Sequence, residues 1–335
     1  MFKIIKKILM ITAILAVTGW GVIAIYYGDS HVSQIQILLA LGFGLSGLLT
    51  IVVLGMPRWS WRLLIIFGML FVCIVLWWLR IQPSNDRLWQ QDVEKLAYAT
   101  IKGNLVTVHN VRNFDYKSEF DYKPAYYTMT YDLSKLQGVD LFSTYWMGPA
   151  IAHTMLSFNF GESEHLAISV EARKEKGESY SSIKGFFRQY ELIYIVADER
   201  DLVRLRTNYR KNPVENVYLY RINWPKAEVK QVFLQYINQI NQLNNKPAFY
   251  NTLLENCTTM IWMHTLVNKD HLRFSWKILA SGYFAEYLYE SHQLYVSDRL
   301  KQHLSFETLK ARAHINVVAN NADQAIDFSK LIREN

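Results

Sequence analysis

The chain carries 2 cysteines and 9 histidines, and Cys257 stands where a nucleophile could be made. Asn256 before it is a favourable helix N-cap. Thr258, Met260, Ile261, Met263, His264 and Val267 then continue as a helix. Cys257 is therefore expected in the first helical turn. There, unpaired N–H groups and the positive end of the helix dipole stabilise a thiolate and can hold an oxyanion. A buried cysteine acting as a small hydrophobe fits that position equally well. No C-x-x-C pair is present, so no zinc site is read from the thiols.

A thiolate nucleophile needs a base. The histidines beyond residue 81 are His109, His153, His165, His264, His271, His292, His303 and His314. His264 is two turns along the helix from Cys257, roughly 10 Å away, which is too far for a hydrogen bond. His153 lies on a strand whose hairpin partner carries His165, Ser169 and Glu171. A strand imidazole beside a strand carboxylate supplies base and orienting group from adjacent positions. Glu171 falls opposite His153 if the turn centres near Glu162; a turn centred near Asn159 pairs His165 with His153 instead.

These residues belong to a domain spanning 81–335. Arg87–Lys102 reads as a short amphipathic helix with Trp89, Val93 and Leu96 on one side. Strand-like runs follow at 105–114, 126–133, 139–146, 151–160, 165–173, 191–197 and 217–222. Phe160–His165 is the turn between the fourth and fifth of these. Pro225 opens a helix with Val229, Val232, Phe233, Tyr236, Ile237, Ile240 and Leu243 as its core stripe. Short helices with loops end the chain. The fold class is α+β, a central antiparallel sheet with helices on it.

The first eighty residues differ. Residues 8–27, 35–55 and 63–79 are apolar runs without charge and long enough to span a bilayer. No small-x-small cleavage site precedes Tyr26, so the first run is expected to stay. Lys3, Lys6 and Lys7 precede the first run, the loop 28–34 has no Lys or Arg, and Arg58 and Arg62 lie in the second loop. This charge pattern puts the N-terminus in the cytoplasm and 81–335 in the periplasm of an inner-membrane, multi-pass protein. Gly42, Gly44, Ser46 and Gly47, with Ala40, allow close helix packing within the bundle. Tyr26, Tyr27, Trp59, Trp61, Trp77 and Trp78 sit at span ends, as interfacial aromatics do.

The same division disposes of the net charge of +7. Residues 1–80 hold Lys3, Lys6, Lys7, Arg58, Arg62 and Arg80 against Asp29 alone. The rest is nearly balanced, so the basic excess flanks apolar runs and points to no nucleic acid. Apolar residues at 51% exclude a disordered protein. Cys73 lies inside the third run and cannot easily meet Cys257. A solitary thiol in an oxidising compartment is itself a sign of a role.

The runs Val111-Arg-Asn-Phe-Asp-Tyr116, Ile151-Ala-His-Thr-Met-Leu-Ser-Phe158, Ile168-Ser-Val-Glu-Ala-Arg173, Ala197-Asp-Glu-Arg-Asp201 and Phe249-Tyr-Asn-Thr-Leu-Leu-Glu-Asn-Cys-Thr-Thr259 resemble the periplasmic domain of the Lnb family of bacterial lipoprotein N-acyltransferases. The likeness covers about 81–265. It implies a papain-like thiol fold in circularly permuted order, with Cys257 as nucleophile, His153 as base and Glu171 as orienting group. Asn256-Cys257 is also similar to the Asn-Cys step of lecithin:retinol-type acyltransferases. Here three spans precede the domain, whereas the family's name describes a periplasmic domain at the N-terminus.

The implied activity moves an acyl chain from a phospholipid donor, through a Cys257 thioester, to the amine of a lipoprotein acceptor at the membrane. No cofactor or metal is required. Asn256, His165, Ser169, Arg173 and Arg112 are possible supporting residues. The two arginines are candidates for phosphate contact, though structural ion pairs explain them as well. Trp77, Trp78 and Trp89 are candidates for a membrane-facing entrance, with anchoring and core packing as the plainer account. A thiol amidase or peptidase acting on peptidoglycan or peptide is a second reading, and a non-enzymatic membrane-anchored interaction domain a third.

Overall fold

A computed structural model describes residues 1–28, 33–56, 59–162, 164–296 and 305–334. Asp29, Arg58, Ser163 and His303 lie outside the described residues. The chain divides into two compact units. One comprises Met1–Leu88, Lys174–Glu191 and Phe249–Thr252, and the other Trp89–Arg173, Leu192–Ala248 and Leu253–Asn335.

The first unit is built on α1 (Phe2–Tyr26), α2 (Gln34–Val53) and α3 (Ser60–Leu79). All three are long and apolar enough to cross a membrane. Ser33 and Gln36 close a reciprocal capping box at the start of α2, which satisfies two helix-end donors. Gly47 of α2 lies so close to Thr18 of α1 that a β-carbon there would collide with the threonine side chain. Among the small residues of α2, Ala40 and Gly47 are buried, whereas Gly42 has open space around it. In the same unit, Arg188 donates to the carbonyls of Trp78, Leu79 and Ile81 at 3.0, 3.2 and 3.2 Å. Its guanidinium also covers the Trp78 ring at 4.1 Å. Cationic capping of the last carbonyls is favourable at a helix C-terminus.

The second unit is α+β. Its strands are β1 (Tyr98–Lys102), β2 (Leu105–Arg112), β3 (Asp115–Tyr116), β4 (Tyr122–Lys123), β5 (Tyr126–Asp132), β6 (Gly138–Tyr145), β7 (His153–Asn159), β8 (His165–Arg173), β9 (Glu191–Ala197) and β10 (Asn216–Arg221). Glu191 itself is grouped with the first unit. β3 and β4 form a separate small hairpin, and the others make an eight-stranded sheet ordered β1-β2-β9-β8-β7-β6-β10, with β5 also on β2. β1–β2, β2–β5, β6–β7, β6–β10 and β7–β8 pair antiparallel, and β2 and β9 run parallel at Arg112↔Ala197.

The strands expected from sequence are present, but Arg87–Lys102 is not a helix. Only Gln91–Val93 makes a single 3₁₀ turn, and Tyr98–Lys102 pairs with β2. The local reason is the turn: Lys102 faces Leu105 across Gly103 and Asn104, and Gly103 has φ near +60°. A glycine free to take positive φ suits a two-residue hairpin, and this overrides a weak helical stripe.

β7 and β9 are buried along their whole length, so both sheet faces are covered. Alternation along β7 sorts its side chains between the faces. Phe158 meets Phe233 and Tyr236 of α5 (Lys226–Asn245) at 5.0 and 5.7 Å between ring centroids. Met155, on the opposite face, joins a core with Leu202, Ala319 and Phe328. Every member of the expected α5 stripe is buried, and burying each such side chain contributes about 1.5–3 kcal/mol. Pro247 follows α5, and the residue before a proline avoids helical backbone; Lys246 is extended.

Candidate active site

His153 is the first residue of β7, and β8 returns beside it with Met155 opposite Ser169 and Asn159 opposite His165. Continuing that register by two residues puts Glu171 across from His153. Of the two hairpin registers open from sequence, the one centred near residue 162 is therefore formed. Because side-chain direction alternates, His153, Ser169 and Glu171 share one sheet face.

The thiol arrives from the other face. α6 (Cys257–Thr265) packs on the side of Thr154, whose Oγ1 meets Thr258 Oγ1 at 2.9 Å. Cys257, at the very start of α6, comes near enough to His153 for each group to shift the other's ionisation. The start of α6 is set by Asn256. Its Oδ1 accepts from the N–H groups of Thr258 and Thr259, both at 3.0 Å, while Thr259 Oγ1 accepts from Asn256 N–H at 2.9 Å. The cap therefore consumes two of the first-turn donors that the sequence pointed to for an oxyanion. The N–H of Cys257 itself is the donor it leaves. The backbone N–H of Thr154 and the hydroxyl of Thr258 also favour the thiolate.

The hydrogen bonds orient the imidazole. Ser169 Oγ donates to Glu171 Oε1 at 2.7 Å and lies 2.6 Å from His153 Nε2. A hydroxyl has one proton, so Ser169 must accept from His153, and Nε2 carries hydrogen. Nδ1 is thereby left as the lone pair for the thiol. Glu171 Oε1 also stands 3.2 Å from His153 Nε2 and accepts from Arg206 Nη2 at 3.0 Å. Arg206 lies in a π-helical turn, Leu205–Tyr209, that extends α4 (Glu199–Arg204). Its other nitrogen is 3.2 Å from Glu215, which Arg210 holds at 2.8 Å.

The charges follow this geometry. Burial, with the repulsion from Arg206, disfavours the imidazolium of His153, but the Glu171 carboxylate together with the charge and hydrogen bonding of Cys257 outweighs them, and the pKa rises to about 9. Burial also disfavours the Cys257 thiolate, and the charge and hydrogen bond of His153 outweigh it, lowering the thiol to about 7. Burial opposes ionisation of Glu171 as well. His153, Arg206 and Ser169 together hold its carboxyl well below the usual range. Between about pH 7 and 9 the arrangement favours a thiolate–imidazolium pair, the reactive form of a cysteine nucleophile.

The remaining sequence candidates lie elsewhere. His165 pairs with Asn159, away from His153, and is buried with neither ring nitrogen hydrogen-bonded. Arg112 closes a bidentate pair with Asp201 at 2.8 and 2.9 Å. Arg173 donates to the carbonyls of Val93 and Glu94 and lies 4.1 Å over the Trp89 ring. Both guanidinium groups are thus engaged in internal structure. Trp89 is 5% exposed and packs in the core of its unit rather than at an entrance. His264 is buried against Tyr194 and Tyr236, and burial lowers its pKa to about 4. Sequence reasoning passed over Arg206 and Glu215. No spacing rule joins Arg206 to Glu171, 35 positions earlier, and no local signal marks the π turn.

A cysteine, a histidine and a carboxylate on an α+β scaffold, His before Cys in the chain, define the class of arrangement. Residues 122–282 match the family model described as the Lnb N-terminal periplasmic domain. That is the family whose motifs the sequence resembles. Four of the five motif runs fall inside the matched span, and Val111–Tyr116 precedes it. No curated protein and no solved structure matches the chain.

Proposed function

We propose that the protein is a membrane-bound thiol acyltransferase of the Lnb type. On this reading it moves a fatty acyl chain from a phospholipid to the N-terminal amine of a diacylglyceryl lipoprotein. The observation that carries it is the Cys257 thiol at the start of α6 coupled to a His153 whose Nε2 is held by Ser169 and Glu171. The match of 122–282 to the Lnb family model and the three apolar helices support the choice of substrates.

In this mechanism the Cys257 thiolate attacks an ester carbonyl, and an S–C bond forms as the carbonyl π electrons move to oxygen. The N–H of Cys257 is the donor available to that oxyanion. Collapse breaks the C–O ester bond, and the His153 imidazolium gives its Nδ1 proton to the departing lysophospholipid oxygen. A neutral lipoprotein amine then attacks the thioester carbonyl. His153 takes the amine proton, the C–S bond breaks, and amide and thiolate result. Glu171 keeps the imidazole oriented and its charged form accessible. The domain arrangement follows: residues 1–80 as a three-span anchor in the inner membrane and 81–335 as a permuted papain-like domain in the periplasm.

The test is the mass of the full-length protein after incubation with phospholipid vesicles. A gain of one fatty acyl group is expected, removed by hydroxylamine and absent in Cys257→Ala. In cells without another N-acyltransferase, lipoprotein N-termini should gain an amide-linked acyl chain only with the wild type. Acyl gain without lipoprotein acylation would leave a thiol acyl enzyme with another acceptor. No gain, together with cleavage of peptidoglycan or peptide, would establish the amidase reading. Full complementation by Cys257→Ala would leave a non-enzymatic role.

A further inference from the structure

Three short segments around the site carry large apolar side chains in the open. Met147 and Ile151, in the turn leading to His153, are 66% and 43% exposed. Leu253 and Leu254, just before Asn256 and Cys257, are 43% and 63% exposed. Phe274 and Trp276, in the segment after α6, are both 59% exposed.

Internal bonds gather these segments. Tyr145 Oη donates to the Gly282 carbonyl at 2.6 Å, Gly282 N–H to the Ala150 carbonyl at 3.0 Å, and Ala152 N–H to Ser281 Oγ at 2.9 Å. Gly282 is seated so tightly on Pro149 and Ala150 that a β-carbon would collide with their backbone. Tyr283 next to it meets Trp276 at 5.3 Å between ring centroids, and Phe274 meets Trp262 of α6 at 5.5 Å. The 147–151 turn is thus pinned to the 276–283 segment, and the 274–276 segment to α6. The leucines adjoin the start of α6, where Cys257 meets His153.

Scattered exposed hydrophobes need no explanation, but a collar of them around one site does. Two features make a lipid surface the occupant. The domain is on one chain with three helices able to cross a membrane, so a bilayer is the apolar phase at hand. The collar also combines aliphatic tips with an aromatic pair including tryptophan, the composition that partitions into the bilayer interface. We infer that the Met147–Ile151, Leu253–Leu254 and Phe274–Trp276 collar inserts into the lipid interface and brings the site to the bilayer. Its use for acyl delivery rests on the proposed acyl-transfer reading; the insertion itself does not.

The test uses full-length protein in phospholipid nanodiscs, with Cys73→Ala and Cys257→Ser leaving no native thiol. Spin labels are placed one at a time at Met147→Cys, Leu254→Cys and Phe274→Cys. Controls are Phe120→Cys and Ile326→Cys, at apolar residues 87% and 88% exposed outside the collar. Collar labels should collide more with oxygen, which concentrates in lipid, and less with a water-soluble nickel chelate; controls should show the reverse. Collar labels that match the controls would overturn the inference. So would labels shielded from both reagents, which mark a protein contact. Because the labelled protein lacks the nucleophile, the outcome is independent of any acyl-transfer assay. Quenching of Trp276 by brominated lipid, read as the difference from Trp276→Phe in otherwise native protein, gives the same answer without labels.

Discussion

The β7–β8 hairpin carries a buried histidine, a buried serine and a carboxylate partner at each end, and the two ends behave differently. At one end His153 is held by Ser169 and Glu171 and coupled to Cys257. At the other, Ser157 donates to Glu199 at 2.6 Å, while Arg333 holds Glu199 at 2.6 and 2.8 Å and Asp140 at 2.8 Å. His165 lies in the same electrostatic environment, yet burial lowers its pKa and the repulsion of Arg333 opposes the pull of Glu199. A carboxylate already closed on arginine has little charge to lend an imidazole. At the site, Glu171 is shared between Arg206 and His153, and the balance still raises the histidine. The residue types are alike; what distinguishes the first end is the Cys257 thiol coupled to its histidine.

The sharpest way to break that contrast is His153→Gln. It should cut thioester formation roughly 10³-fold or more, as loss of a triad base does, with little change in thermal stability. Acyl gain by intact mass measures it, and near-normal gain would remove His153 from the mechanism. Glu199→Gln probes the other end. Breaking a buried ion pair while leaving its arginine costs about 3–5 kcal/mol, so unfolding should shift strongly while acyl transfer per folded molecule stays the same.

The pH dependence separates the ends further. Burial favours the neutral form of Glu199, but Arg333 prevails and lowers it from the ordinary 4.5 to about 2. A depressed carboxyl stabilises the fold fully above about pH 4.5 and loses that contribution as pH falls through about 2. The melting temperature should decline across that window, and less steeply in Glu199→Gln. At the site, thioester formation needs the thiolate and the imidazolium together, so its rate should be bell-shaped with limbs near 7 and 9. Glu171→Gln removes the carboxylate that raises His153; the upper limb should move down and the rate fall about 10-fold. Ser169→Ala should have the smallest effect, within a few-fold, since His153 still has Glu171 at 3.2 Å.

Much of the second unit could be read from local pattern. The α5 stripe recurs at helical spacing, and all of it is buried. The strands were visible because β-branched and aromatic runs sat between turns. Arg87–Lys102 misled because a few apolar residues mimic helical spacing, while the decisive feature was the Gly103–Asn104 turn beyond them. Arg112 and Arg173 carried charge suited to phosphate, but their partners, Asp201 and the Val93 and Glu94 carbonyls, are distant in sequence.

Sequence alone determined the apolar helices, the capped helix beginning at Cys257 and the short list of histidines, because each depends on neighbours a few positions apart. Only the tertiary structure decided that the register setting Glu171 rather than His165 opposite His153 is the one formed, and that Arg206 stands behind that carboxylate. Those choices turn on one register of a hairpin and on two layers meeting at a strand end. A shift of one residue would reverse every side chain on the face, and no local rule reports which register the packed core selects.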